Sequence, residues 1–187
     1  VGFLALVASL GVQAEGRVEV VIRETTRPAG SPPVLVDITF INKGDAPFFI
    51  HRPATPFGTR GDELNGDHFL VTDSSGELLP YIGVGAGYWG RVRLNHFIAV
   101  APGESAHKEV NLNTGYDLTK GGDFKIRFHA SLDTAEPEAE VSSPEELRTF
   151  VRNSQKFVQS NEITIHVDPG LARGSAASRN LPGAGDR

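Results

Sequence analysis

Residues Leu79–Phe128 read LPYIGVGAGYWGRVRLNHFIAVAPGESAHKEVNLNTGYDLTKGGDFKIRF. This stretch holds the only tryptophan, all three tyrosines and the densest glycine run of the chain. Its phrases decide the fold. Leu94–Val100 is a strand pattern, Ala101-Pro102-Gly103-Glu104 is a turn, and Lys108–Leu112 is a second strand predicted to partner the first. Gly122–Ala130 alternates through Phe124, Ile126 and Phe128, the pattern of a strand with one buried face.

The same period of two recurs on both sides. Arg17–Arg23 alternates Val18, Val20 and Ile22 against charged neighbours, and Val34–Asn42 is apolar enough to be a central strand. Asn42-Lys43-Gly44-Asp45 is expected to reverse the chain through positive φ at Asn or Gly. Phe48–Ile50, Phe69–Thr72, Glu77–Tyr81 and Glu162–Val167 complete the strand phrases. One helix is predicted near residues 144–158. Ser143-Pro144-Glu145-Glu146 is a capping box, and Leu147, Phe150, Val151, Phe157 and Val158 fall on one stripe. Short strands separated by turn signals predict an all-β fold, an antiparallel β-sandwich over residues 15–168. Tyr116-Asp117-Leu118, with Gly122 and Phe124 following, looks like the tyrosine corner of Ig-type sandwiches, in which the hydroxyl bonds nearby backbone. Tyr116, Leu118, Gly122 and Phe124 are read as structural.

Val1–Ala14 is an uncharged apolar run closing on Val12-Gln13-Ala14, the pattern of a signal peptide truncated at its start. It is shorter than the roughly 20 residues that a membrane span needs, so none is expected in the mature chain. Export places the domain in a secreted or periplasmic setting. The chain has no cysteine, which excludes thiol nucleophiles and Cys-ligated zinc. Residues 169–187 have the composition of a flexible tail. A formal charge of −5 without clustered Lys and Arg argues against a nucleic-acid partner.

Hydrolytic chemistry needs a nucleophile with its base, or a metal with convergent ligands. His51, His68, His96, His107, His129 and His166 each stand alone in or beside a strand phrase, with no His-Glu-x-x-His among them. They are read as isolated surface or edge residues, and no metal, cofactor or catalytic residue is assigned. The acidic run Asp133–Glu140 lacks the spacing of a calcium loop. Arg60-Gly61-Asp62 matches an integrin-read tripeptide at the level of chance. The candidate binding surface is the loop Tyr81–Arg93. Tyr81, Tyr88 and Trp89 offer flat apolar area with polar tips, beside Arg91 and Arg93, a composition suited to a protein partner. The alternative is that Trp89 folds back over the core.

The phrases Asn42-Lys43-Gly44-Asp45, Thr55-Pro56-Phe57, Phe69-Leu70-Val71 and Pro80-Tyr81-Ile82-Gly83 carry a family resemblance. They continue with Ala101-Pro102-Gly103-Glu104-Ser105, Val110-Asn111-Leu112, Tyr116-Asp117-Leu118 and Ser160-Asn161-Glu162-Ile163. In this order, from Val18 to Val167, the chain resembles the N-terminal, non-catalytic Ig-like domain of bacterial deuterolysin-type zinc metallopeptidases, the group that includes peptidyl-Lys endopeptidases. The family's protease domain, with His-Glu-x-x-His and a downstream Gly-Thr-x-x-Asp, has no counterpart here. Gly58-Thr59-Arg60-Gly61-Asp62 spells the second motif upstream of any place for the helix, so Asp62 is given no zinc role. The resemblance implies an Ig-like fold and a binding module that inhibits or guides a metallopeptidase. Two other readings stand beside it: a fragment of a secreted zinc endopeptidase, and a free-standing envelope or adhesion domain.

Overall fold

A computed structural model describes residues 17–25, 34–58, 61–85, 92–133 and 143–169. The signal-peptide stretch, the acidic run beyond Asp133 and the tail from residue 170 lie outside the described residues. Among the described residues eight strands and one α-helix follow in order: β1 (Val18–Glu24), β2 (Leu35–Asn42), β3 (Phe48–His51), β4 (Phe69–Thr72), β5 (Phe97–Val100), β6 (Ser105–Asn111), β7 (Gly122–Asp133), α1 (Pro144–Ser154) and β8 (Gln155–Val167). They form a β-sandwich. One sheet has the order β4-β7-β8-β1-β2-β6, and a smaller one pairs β3 with β5. All pairs are antiparallel except a single parallel bridge between β1 and β8.

Alternation sends one face of each strand inward. Val20 and Ile22 of β1, Ile38 and Phe40 of β2, and Phe124, Ile126 and Phe128 of β7 meet Phe48 and Ile50 of β3 in one core. Phe128 contacts Phe40 and Phe69 edge-on, with ring centroids 5.5 and 5.4 Å apart, an arrangement that suits the ring quadrupoles. No helix among the described residues is long and apolar enough to cross a membrane.

Five expectations are corrected. β5 and β6 are not partners: β5 pairs with β3 and β6 with β2, so the Pro102-Gly103 turn carries the chain from one sheet to the other. Asn42 holds that crossing. Fully buried, it donates from its side-chain amide to the carbonyls of Ala46 and Val100 at 2.7 and 2.8 Å, and its carboxamide oxygen accepts from the Gly44 N–H at 2.9 Å. Gly44 does not use positive φ, so the side chain, not glycine freedom, makes the reversal. Gly103 does, at φ 80°, as a Pro-Gly turn requires.

The helix ends at Ser154, and Phe157 and Val158 belong to β8. They stand seven residues after Phe150 and Val151, a spacing that extends a helical stripe, but the ladder from Gln155 to Gln159 along β7 claims them. Phe150 packs edge-on against Phe97 of β5, with centroids 5.9 Å apart, and fixes α1 against the small sheet. Glu77–Tyr81 makes a single bridge rather than a strand ladder, Thr72 to Leu78, flanked by bonds from the Leu79 N–H to the Val71 carbonyl and from the Asp73 N–H to the Glu77 carbonyl. Pro80 follows without an N–H and ends the pairing. Leu94–His96 is a 3-10 turn, with β5 starting at Phe97.

Candidate functional site

Tyr81 opens the candidate loop and is pinned inward. Its hydroxyl accepts from the Gly66 N–H at 3.0 Å and reaches the carbonyls of Val84 at 2.7 Å and Leu64 at 3.2 Å. Its ring meets Tyr116 edge-on at 5.6 Å. Gly115 and Gly83 leave the necessary room: a Cβ on Gly115 would lie 2.7 Å from the Tyr81 ring, and one on Gly83 would lie 2.5 Å from its hydroxyl. Burial is the main cause holding the Tyr81 phenol above its usual pKa. Tyr81 is therefore a fastening of the loop rather than an exposed contact residue.

Tyr116 lies beneath it, 1% exposed. Its hydroxyl shares its one proton between the Phe69 carbonyl and the Asp67 carboxylate, both at 2.7 Å, and accepts from the Phe69 N–H at 3.3 Å. The partner is 47 residues upstream, so the bond bolts β4 to the approach to β7 rather than closing a local corner. Burial first, then Asp67, pushes this phenol far above the ordinary tyrosine range. Leu118 and Phe124 are buried in the core, and Gly122 starts β7 at φ 99°, a conformation that favours glycine.

The two ends of the loop combine anchors with exposed apolar side chains. Val92, which sequence reasoning passed over, is fully buried and fastens the exit. Ile82 is 63% exposed, Val84 75% and Leu94 50%. They sit beside backbone that is held in place: Ile82 N–H donates to Gly115 O at 2.8 Å, and Val84 O accepts from Gly66 N–H at 3.1 Å. Arg93 is exposed at the start of the 3-10 turn, and its N–H reaches His96 Nδ1 at 3.4 Å. Tyr88, Trp89 and Arg91 lie outside the described residues. Thus Tyr81 and Arg93 are placed on opposite ends of the loop, one inward and one outward. The overlooked signal was aliphatic: Ile82 and Val84 alternate with glycines, which give a neighbouring side chain nothing to bury against.

The histidines do not form one constellation. His51 and His68 are buried, contrary to the surface reading. His51 stacks on Phe97 at 4.9 Å, and burial lowers the pKa of His68. On the outer sheet face His166 pairs with Asp123 at 2.6 Å and His107 with Asp37 at 3.3 Å, while His129 meets Gln159 at 2.8 Å. Among the described residues no group of three or more His, Asp or Glu could hold a metal ion. Asp62 uses its carbonyl to accept from the Asn111 N–H at 2.6 Å, and the Gly61 carbonyl accepts from Lys108. Their backbone is tied to β6.

No family model matches the chain, and no curated protein sequence matches it. Among solved structures, the X-ray structure of Northeast Structural Genomics Consortium target SoR45 has a TM-score of 0.35 and 12% identity, covering 91% of this chain and 95% of that one.

Proposed function

We propose that this chain is an exported, non-catalytic β-sandwich module that binds a protein through the sandwich end carrying the Tyr81–Arg93 loop, and that the partner is a deuterolysin-type metallopeptidase. The observation that carries the binding surface is the exposure of Ile82 and Val84 beside the backbone fastened by Tyr81. A backbone already held by hydrogen bonds has less entropy to lose on docking, and exposed aliphatic groups gain by leaving water. Arg93, with Arg91 and the aromatic pair Tyr88-Trp89 of the same loop, supplies residue types that dominate protein interfaces. The family resemblance of the strand phrases supports the choice of partner, and a loop lodged against the peptidase cleft would inhibit or guide it sterically.

The test is to mix the full chain with a purified deuterolysin-type peptidase, then follow complex formation by gel filtration and the cleavage rate of a peptide substrate. A complex and an altered rate are expected, both lost in Ile82→Ser/Val84→Ser with an unchanged melting temperature. An unchanged rate with no complex would reject the peptidase. Equal binding by the double variant would reject the surface.

A further inference from the structure

Residues 64–68 lead into β4 and belong to no strand. Tyrosine hydroxyls hold them instead. The Gly66 N–H donates to Tyr81, Asp67 accepts from Tyr116, and the Tyr116 hydroxyl also meets the N–H and carbonyl of Phe69. Asn65 adds an isolated bridge to Val84 of the candidate loop. His68 stands in the middle of these ties. It is 8% exposed, its ring lies 6.2 Å from that of Phe128, and its carbonyl accepts from the His129 N–H at 2.8 Å. The backbone of Asn65 bonds the ring, but Nε2 is buried with no hydrogen-bond partner among the described residues. A buried polar atom without a partner is costly, and a buried charge without one costs more. Burial accordingly lowers the imidazole pKa, against the Asn65 bond and the Asp67 charge, which favour the proton. Asp67 is already engaged by Tyr116. On β7, which packs against His68, Arg127 is paired with Glu162 and His129 with Gln159.

We propose that His68 is an acid-sensitive latch: on gaining a proton it leaves its site, carries residues 64–69 with it and releases the Tyr81 end of the loop. The proton turns Nε2 from a bare acceptor into an N–H donor bearing positive charge. No acceptor stands ready for it among the described residues. Bonds to His129 and Tyr116 hold the backbone on and beside His68, so the ring reaches water when they break. The same break takes the Gly66 donor from Tyr81 and the Asn65 bridge from Val84, the ties between this segment and the loop. The direction follows from linkage. An exposed histidine titrates near 6.5, and the latched ring titrates lower. The stabilisation is therefore fully present above that value and is lost as pH falls below it, the open population rising by up to about tenfold per pH unit. The latch acts on the loop's conformation and does not rest on what the loop binds.

The test is amide hydrogen exchange of the full ¹⁵N-labelled chain at pH 7.5 and 5.5, corrected for the intrinsic pH dependence of exchange. Protection at Gly66, Phe69 and Ile82 should fall about tenfold between the two, while the β1–β2 ladder keeps its own. The ring nitrogens of His68, followed in the same sample, should stay neutral at pH 6, where an exposed histidine is mostly protonated. His68→Phe and His68→Gln remove the titration, and each should show the same protection at both pH values. The glutamine variant carries the comparison if the phenylalanine variant does not fold. Four results would overturn the proposal: protection at these amides that does not change with pH, a fall shared by the β1–β2 ladder, a His68 ring that titrates like an exposed one, or the parent's fall repeated in a folded His68 variant.

Discussion

Tyr116 shows how a single residue can be legible while its partner is not. The Tyr-Asp-Leu phrase marks a buried tyrosine before a strand, but only folding brings Asp67 and Phe69 to its hydroxyl. Tyr116→Phe leaves the Phe69 backbone groups without that partner in a buried site, a cost of about 1–3 kcal/mol, measurable as a lower urea midpoint with unchanged slope. The raised pKa makes a second, signed prediction. Folded Tyr116 keeps its proton at a pH where an unfolded tyrosine, titrating near 10, has lost it. Its contribution is fully present below pH 10 and declines above it by about 1.4 kcal/mol per pH unit. Tyr116→Phe should therefore flatten the alkaline fall of stability relative to the parent. Gly115→Ala should destabilise by about 1–3 kcal/mol through overpacking, because the new methyl meets Leu64 and Tyr81. The backbone there has φ −118°, which any residue adopts, so space alone is at issue.

At the scale of elements, periodicity identified most strands and the one helix, and the capping box is formed: Glu146 N–H donates to Ser143 Oγ at 3.1 Å, and Ser143 N–H to Glu146 Oε2 at 3.2 Å. Pairing was less legible, since a turn phrase does not say whether it closes a hairpin or crosses between sheets. Asn42 decided that for β5 and β6, and its role depends on the Val100 carbonyl, 58 residues away. Asn161 is the parallel case in the β1–β8 seam, where it accepts from the Ile22 N–H at 2.8 Å and donates to the Ile22 carbonyl at 3.0 Å. Asn161→Ala should cost about 1–3 kcal/mol, with faster hydrogen exchange at Ile22 as the local sign that the seam has opened. Asn161→Asp keeps an acceptor for the Ile22 N–H but loses the donor to its carbonyl, so exchange at Ile22 should be less affected than in the alanine variant.

Across the whole molecule, burial organises the surfaces. The inner faces of the large sheet and of β3–β5 share one core, while the outer face carries paired charges such as Arg127 with Glu162 at 3.0 Å. The sandwich end between Tyr81 and Arg93 departs from that division by exposing aliphatic groups on fastened backbone. Composition pointed to this loop through its aromatics and arginines, but the exposure of Ile82 and Val84 depends on which residue pins the loop, a tertiary fact that one sequence does not carry. The central claim is that this end is where a protein partner docks. The most direct measurement is hydrogen–deuterium exchange of the full chain, alone and mixed with a deuterolysin-type peptidase. Protection confined to residues 81–95 is the predicted result. Protection on the outer face of β7 and β8 instead, or none anywhere, would contradict it.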